Sequence, residues 1–192
     1  SFEDIGIVRM LSPEQLERKV TAIFGKPWGG LKNQTAMLYG GIDSKEVTER
    51  AADPSGAMGA IQRTLANDVA CRNVALDFSR KKRERILFPN IDPDDIPGNS
   101  AATDQKIRAG IIHLHQHVLG RNDAEDSAEV KRTFELLAGV ITDAKTRDHF
   151  DKREIWSCRQ GLEKPVPDPH YTVRAWRAVL TYLLRQHDFL YE

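Results

Sequence analysis

The sequence lacks an excess of charge of either sign. Its 192 residues carry 28 Lys and Arg against 28 Asp and Glu, so the formal net charge is zero. Because such a chain has no overall field to attract a phosphate backbone or an anionic lipid surface, we expect no nucleic-acid partner. Long apolar runs are also missing, since charged or polar residues interrupt every stretch well short of the roughly 20 residues that a bilayer requires. We therefore expect no membrane span.

An initiator methionine is missing too, because the chain begins at Ser1 and closes at Glu192 on an amphipathic run. We interpret it as a processed or excised part of a larger protein. Its length is close to that of one domain, which can bury roughly 70% of the surface that the unfolded chain exposes. We predict a single helical domain over 1–192.

Strand-like alternation is absent, and apolar residues recur at helical spacing instead. The clearest helix start is at Ser12, which can cap a helix whose first residue is Pro13 and whose capping box is completed by Gln15. Without any βαβ rhythm, the pattern predicts an all-α fold of about five main helices. Their expected positions are about 13–24, 54–78, 100–119, 126–145 and 173–184.

Apolar stripes along these helices indicate which faces form the core. The fourth helix aligns Val130, Phe134, Leu137 and Ile141, so we expect Phe134 to be buried. The other stripes are Leu16, Val20, Ile23 and Phe24; Met58, Ile61, Leu65 and Val69; Ile107, Ile111, Leu114 and Val118; and Val173, Trp176, Val179, Leu180, Leu183 and Leu184.

Long irregular segments separate the helices, at about 26–41, 79–99 and 148–169. Loops of this length in a compact domain usually serve function or are tethered. A tether is available because Cys71 and Cys158 are the two cysteines of the chain. Bridging them would remove about 4 to 5 kcal/mol of denatured-state freedom in the loop-entropy account. From the residues alone, a disulfide and two free thiols remain equally open.

Three histidines lie close together in the third predicted helix, at positions 113, 115 and 117. His113 and His117 fall roughly 40° apart on one flank, which matches the spacing of helical metal ligands, while His115 falls on the opposite edge of the apolar stripe. One ion cannot take all three from a regular helix. A third ligand would have to come from a carboxylate or from His149, His170 or His187. We favour a solvated or hydrogen-bonded histidine flank over a metal site.

Two charged clusters lie within the second long loop. Acidic residues at 90–95 resemble the front of a calcium loop, but Asp95 stands where glycine is needed and Ala101 where glutamate is needed, so a solvated acidic turn is favoured. The basic run 80–85 is interpreted as a solvated helix end with acidic neighbours. No glycine elbow or neighbouring base accompanies Ser157 and Cys158, so we identify no catalytic residue.

Five blocks of the chain together resemble one region of large exported proteins from planctomycetes and some myxobacteria that also carry cytochrome c domains. These blocks are 38–50, 67–78, 112–120, 171–176 and 189–191. The resemblance implies export to the periplasm or cell surface and a neighbouring haem module. It implies no haem in this chain, because neither cysteine belongs to a Cys-x-x-Cys-His signature. In an exported setting the Cys71–Cys158 disulfide becomes the favoured alternative.

Two functions follow from these observations. The favoured one is a non-catalytic helical scaffold or interaction domain within an exported assembly associated with c-type cytochromes and electron transfer. Its partners would be other domains or subunits of that assembly, and it would hold no cofactor of its own. The alternative is a metal- or haem-contacting domain of an oxidoreductase that uses His113 and His117, with the ion or haem supplied by a neighbouring module.

Overall fold

A computed structural model describes residues 11–29, 57–147, 150–153, 158, 162 and 164–191. Five helices of 12 residues or more are seen in these ranges: α1 Pro13–Phe24, α2 Ala57–Ser79, α3 Ala101–Leu119, α4 Ala128–Thr146 and α5 Thr172–Leu184. A single turn, α6 His187–Leu190, follows. One isolated bridge between Arg153 and Pro167 is the extent of β pairing in the described part. The predicted all-α fold class is confirmed.

Helix boundaries agree closely with the sequence expectation where they are described. Ser12 caps α1 through a complete capping box with Gln15, and Gly25 ends the helix in the left-handed conformation. Gly120 ends α3 in the same way. A 3-10 turn, Lys82–Glu84, forms inside the segment predicted as irregular. The predicted start of α2 at residue 54, the side chain of Met58 and most of the 26–41 loop lie outside the described residues.

Contacts divide the chain into two units, with the boundary inside α2 between Ala66 and Asn67. The first unit comprises 1–66 and 185–192. Within it, the backbone N–H of Leu11 donates to the carbonyl of Leu190 at 2.8 Å, and Lys19 Nζ donates to the carbonyl of Phe189 at 2.8 Å. Leu16, Val20 and Phe24 of α1 are buried, as are Phe189 and Leu190.

The second unit, 67–184, contains α3, α4 and α5, which pack against one another. Gly110 of α3 has no room for a side chain, because a Cβ there would stand 2.9 Å from the side chain of Ile91. Phe88 and Trp176 also pack together, with ring centroids 5.2 Å apart. Phe78 of α2 stacks on Phe88 with ring centroids 4.5 Å apart.

Burial of α5 is unusually complete. Trp176, Val179, Leu180, Leu183 and Leu184 are all buried, as the sequence pattern predicted. The first three residues of the helix, 172–174, are buried as well, including the polar side chains of Thr172 and Arg174. Among the described helices, none combines the length and apolar character that crossing a bilayer requires.

Candidate functional site

His113 lies on the flank of α3 that the sequence singled out, and its ring is bound to the chain. Its Nε2 atom is 2.7 Å from the carbonyl oxygen of Ile86, so Nε2 carries the proton and donates. A nitrogen that donates this bond is not available to a metal at the same time. His113 thus ties the segment after the 3-10 turn to α3.

The rings of His113 and His117 lie parallel, with centroids 6.0 Å apart and planes within 5°. The predicted i, i+4 pairing on one flank is therefore present. However, no group of three His, Cys, Asp or Glu side chains stands at metal-ligand distances anywhere in the described part of the chain. Of the predicted third ligands, His170 lies 3.4 Å from an Asp94 carboxylate oxygen, and His149 and the side chain of His187 lie outside the described residues.

Among the histidine side chains that the structure describes, His115 alone is buried, and the sequence predicts it at the edge of the apolar stripe. The whole residue is buried, with Nδ1 2.6 Å from Asp123 Oδ2 and Nε2 2.8 Å from Thr133 Oγ1. It therefore joins α3, the α3–α4 connection and α4. Asp123 is held in turn by Arg121, whose guanidinium donates to the same oxygen at 3.0 and 3.2 Å.

The order Thr133, His115, Asp123 resembles that of a hydroxyl nucleophile, its base and the orienting carboxylate. The carboxylate of Asp123 can only accept, so Nδ1 carries a proton. The one proton of the Thr133 hydroxyl can go either to Nε2 of a neutral His115 ring or to the carbonyl oxygen of Glu129, 3.1 Å away. Both His115 and Thr133 are buried, so no substrate carbonyl can approach the hydroxyl. The cluster therefore joins two helices and a loop.

Burial lowers the pKa of His115 below its ordinary value of 6.5, and the hydrogen bond and charge of Asp123 only partly oppose that effect. The neutral ring, whose Nε2 accepts from the Thr133 hydroxyl, is thus the favoured state. For Asp123, burial raises the pKa, but the hydrogen bonds from His115 and Arg121 outweigh it, and the pKa lies below the ordinary value.

A second buried cluster lies at the start of α5 and was not predicted. Asp168 has no solvent exposure and accepts from the backbone N–H groups of Val173 at 2.9 Å and Arg174 at 3.2 Å. Its Oδ2 atom also accepts from Arg174 Nε at 2.7 Å, and Arg174 Nη2 bonds the carbonyl of Asp151. An Asp-Pro step four residues before a helix was the sequence signal available, since such an aspartate can reach the free N–H groups of the first turn.

Aromatic rings complete the surroundings of Arg174. Its guanidinium lies 4.0 Å from the ring centre of Tyr171 and 5.4 Å from that of Phe150. Tyr171 itself has a φ of 64°, an uncommon backbone conformation for a non-glycine residue at the step before α5. The buried guanidinium of Arg174 is therefore paired with a carboxylate, hydrogen-bonded and stacked on aromatic rings.

Asp77, near the end of α2, holds the start of the next segment in a similar way. Its buried carboxylate accepts from the backbone N–H groups of Ile86 at 2.9 Å, Leu87 at 3.1 Å and Phe88 at 2.9 Å. Part of the long loop is therefore fixed by a carboxylate of the preceding helix. It was not identified from the sequence, because its partners are backbone groups with no residue signature.

Cys71 of α2 and Cys158 lie at disulfide distance, with Cα atoms 4.8 Å apart, so the predicted pairing is present in the geometry. Both belong to the second unit. Arg177 of α5 directs its Nη1 atom at the Cys158 sulfur from 2.9 Å. The cysteine pair and this contact link α2, the segment around residue 158 and α5.

The acidic turn that resembles a calcium loop is neutralised by lysines. Lys106 contacts Asp92 at 3.1 Å and Asp95 at 2.8 Å, and Lys82 contacts Asp92 at 2.8 Å. Asp95 also accepts from the backbone N–H of Asp92 at 2.7 Å. As predicted, the basic run and the acidic turn compensate each other, here through Lys82.

Comparison with family models, curated proteins and solved structures yields no match to this chain. The proposed function therefore rests on the geometry of the cysteine pair and of the polar clusters. The polar clusters all connect elements of the fold to one another, and their chemistry is that of anchoring: buried carboxylates accept backbone N–H groups, and a buried histidine joins two helices.

Proposed function

We propose that the chain is a non-catalytic helical scaffold or interaction domain of an exported multidomain or multisubunit assembly that includes c-type cytochromes. The observation that carries the proposal is the Cys71–Cys158 pair, whose cysteines are 87 residues apart in the sequence and at bonding distance in the fold. Disulfides persist in oxidising compartments, which supports a periplasmic or cell-surface location.

The polar clusters support a structural role. His113 is bonded to Ile86, His115 to Asp123 and Thr133, and Asp168 to Arg174. Side chains bonded in this way keep a fixed shape rather than act on a substrate. The partners that we propose are other domains or subunits of the same assembly, and neither nucleic acid nor a membrane span is part of the proposal.

A metal- or haem-contacting domain of an oxidoreductase is the second candidate. The observation that favours it is the parallel arrangement of the His113 and His117 rings, 6.0 Å apart. The bond from His113 Nε2 to Ile86 would have to break or the ion would have to use Nδ1. An ion held by two imidazoles alone would be bound weakly, since a closed zinc site has four ligands.

Elemental analysis of the gently purified chain separates the two candidates. We expect no stoichiometric zinc, copper or iron, and no change on substituting His113→Ala and His117→Ala. One equivalent of metal that disappears in that double variant would overturn the scaffold proposal in favour of the alternative.

Binding to a cytochrome c domain from the same parent polypeptide tests the scaffold role directly. Isothermal titration should give a stoichiometric complex, with a Kd no weaker than about 10 μM, and an unchanged haem absorbance spectrum. A shift of the haem Soret band that depends on His113 and His117 would indicate ligation instead. Absence of any complex with neighbouring domains would contradict an interaction role.

A further inference from the structure

The two residues of the Cys71–Cys158 pair differ in exposure. Cys158 is 2% exposed, whereas Cys71 is partly exposed on α2. Thiol–disulfide exchange requires a thiolate to reach one of the two sulfurs. Of the two residues, the more exposed Cys71 is therefore the one that we expect an incoming thiolate to attack.

The two sulfurs also differ in charge environment. The cationic guanidinium of Arg177 lies 2.9 Å from the sulfur of Cys158. A thiolate that forms at Cys158 would be stabilised by this contact, as thiolates beside arginine generally are. Because a better-stabilised thiolate leaves faster, Cys158 is the favoured leaving group of the pair.

Accessibility and charge thus favour the same direction of reaction. We propose that the Cys71–Cys158 disulfide is a thiol–disulfide exchange site, opened by a dithiol reductant that attacks Cys71 while Cys158 departs as a thiolate against Arg177. This inference rests on the cysteine pairing and goes beyond the scaffold role, which does not require the disulfide to be exchangeable.

The bond changes balance in two steps. A thiolate of the dithiol forms a bond to the Cys71 sulfur, the Cys71–Cys158 bond breaks, and its electron pair leaves on Cys158. The second thiolate of the reductant then attacks the other reductant sulfur, the one bonded to Cys71 in the mixed disulfide, and Cys71 leaves as a thiolate. The dithiol loses two electrons and becomes a disulfide, and the protein gains both electrons as two thiols. The class of partner is accordingly a dithiol, such as a protein with a Cys-x-x-Cys pair.

Opening the bond would detach Cys158 from α2 while leaving its contact with α5. The buried clusters around His115 and Asp168 do not include either cysteine. We therefore expect the reduced chain to keep its helices and to lose one covalent link.

A monothiol trap identifies the attacked sulfur in the native chain. The oxidised protein is exposed briefly to reduced glutathione, quenched with acid, alkylated and analysed by peptide mass spectrometry. We expect glutathione on Cys71 and the alkyl group on Cys158 in at least about three quarters of singly modified molecules, given the difference in access and leaving-group stability. Glutathione predominantly on Cys158, or equally on both cysteines, would overturn the proposal.

Reduction rates with dithiothreitol test the role of Arg177. Arg177→Met should slow reduction about three- to tenfold, whereas Arg177→Lys, which keeps the charge, should retain most of the rate. Arg132→Met on the exposed side of α4 is the matched control, and its rate should equal that of the unsubstituted chain. Equal rates for Arg177→Met and the control would overturn the leaving-group assignment. Far-UV circular dichroism establishes that each variant is folded, and the glutathione result needs no variant.

Discussion

Two groups of carboxylates and cations in the second unit show how differently the same residue types behave. At the start of α5, Asp168 has no exposure, Arg174 is 5% exposed, and the carboxylate also accepts two backbone N–H bonds. In the acidic turn, the side chains of Asp92 and Lys82 are 41% and 44% exposed, and lysines supply the pairing. Charge pairing is present in both, but only the first is shielded from water.

Shielding decides what each group contributes to the fold. Removing one partner of a buried pair leaves the other charge without solvent, whereas an exposed carboxylate that loses its lysine regains water. The buried pair therefore fixes the entry to α5, and the exposed pairs add little to stability. Substitutions at buried and at exposed positions test this difference, in order of decreasing expected effect.

The largest effect should come from Asp168→Ala. It leaves Arg174 buried without its carboxylate and frees two N–H groups of the first turn of α5, so unfolding free energy should fall by about 3 to 5 kcal/mol. Urea denaturation followed by circular dichroism measures this change. The matched control is Asp92→Ala, which should cost less than about 1 kcal/mol. Similar losses of unfolding free energy in the two variants would show that the buried cluster contributes no more to stability than the exposed one.

Two apolar residues of α4 should likewise differ in their contribution to stability, because they differ in burial. Sequence spacing predicted that Phe134 is buried, and a buried phenylalanine would make Phe134→Ala cost about 3 to 5 kcal/mol. The predicted burial is wrong, because Phe134 is only partly buried and Arg108 lies over its ring at 5.0 Å. Leu137→Ala should now cost about 2 to 5 kcal/mol and Phe134→Ala clearly less, by about half. Equal losses of unfolding free energy in the two variants, measured by urea denaturation, would support the predicted burial of Phe134.

The reason for that error lies at Thr133. The buried face of α4 comprises Val130, Thr133, Leu137, Ile141 and Ala144, so a threonine occupies the position that the apolar pattern gave to Phe134. Its hydroxyl is needed inside because it bonds His115. A polar residue that satisfies a buried partner on another helix cannot be recognised from periodicity in its own helix.

Features that depend only on residues close together in the sequence were predictable. The capping box at Ser12, the glycine ends at Gly25 and Gly120 and the apolar stripe of α5 follow from local rules. The buried carboxylates were not predictable, since Asp77 and Asp168 bind backbone N–H groups that carry no residue identity. Two cysteines allow a single pairing, but the residues alone left a disulfide and two free thiols equally open, and the proximity of the two cysteines required the fold.

His115 should make stability depend on pH. Its pKa is lowered in the fold, chiefly by burial, so the unfolded chain binds a proton more readily. Asp123 favours the charged ring, as does Glu129 more weakly, while Arg121 opposes it. Stability should therefore be full above the ordinary pKa of 6.5 and fall as the pH drops below it, by at most about 1.4 kcal/mol per pH unit.

Urea denaturation between about pH 5 and pH 7.5 measures that slope, and His115→Gln should remove the part that His115 contributes. Thr133→Val is the control, because it deletes the hydrogen bond to Nε2 and keeps the titrating ring. A slope that is identical in the unsubstituted chain and His115→Gln would contradict the buried, neutral state of this histidine.

The smallest effect should come from Lys82→Ala at the exposed turn. A hydrogen bond from Lys82, followed by one from Lys106, keeps the pKa of Asp92 below its ordinary value against the opposing effect of burial. After the substitution Lys106 still contacts both Asp92 and Asp95, so the carboxylate keeps a partner and water replaces the other. Unfolding free energy should fall by about 0.2 to 1 kcal/mol, and the difference should shrink as salt rises from about 0.05 M to about 0.5 M. Paired urea titrations of both proteins at each salt concentration provide the measurement. A loss as large as that of Asp168→Ala, or one insensitive to salt, would mean that the exposed turn is anchored as firmly as the entry to α5.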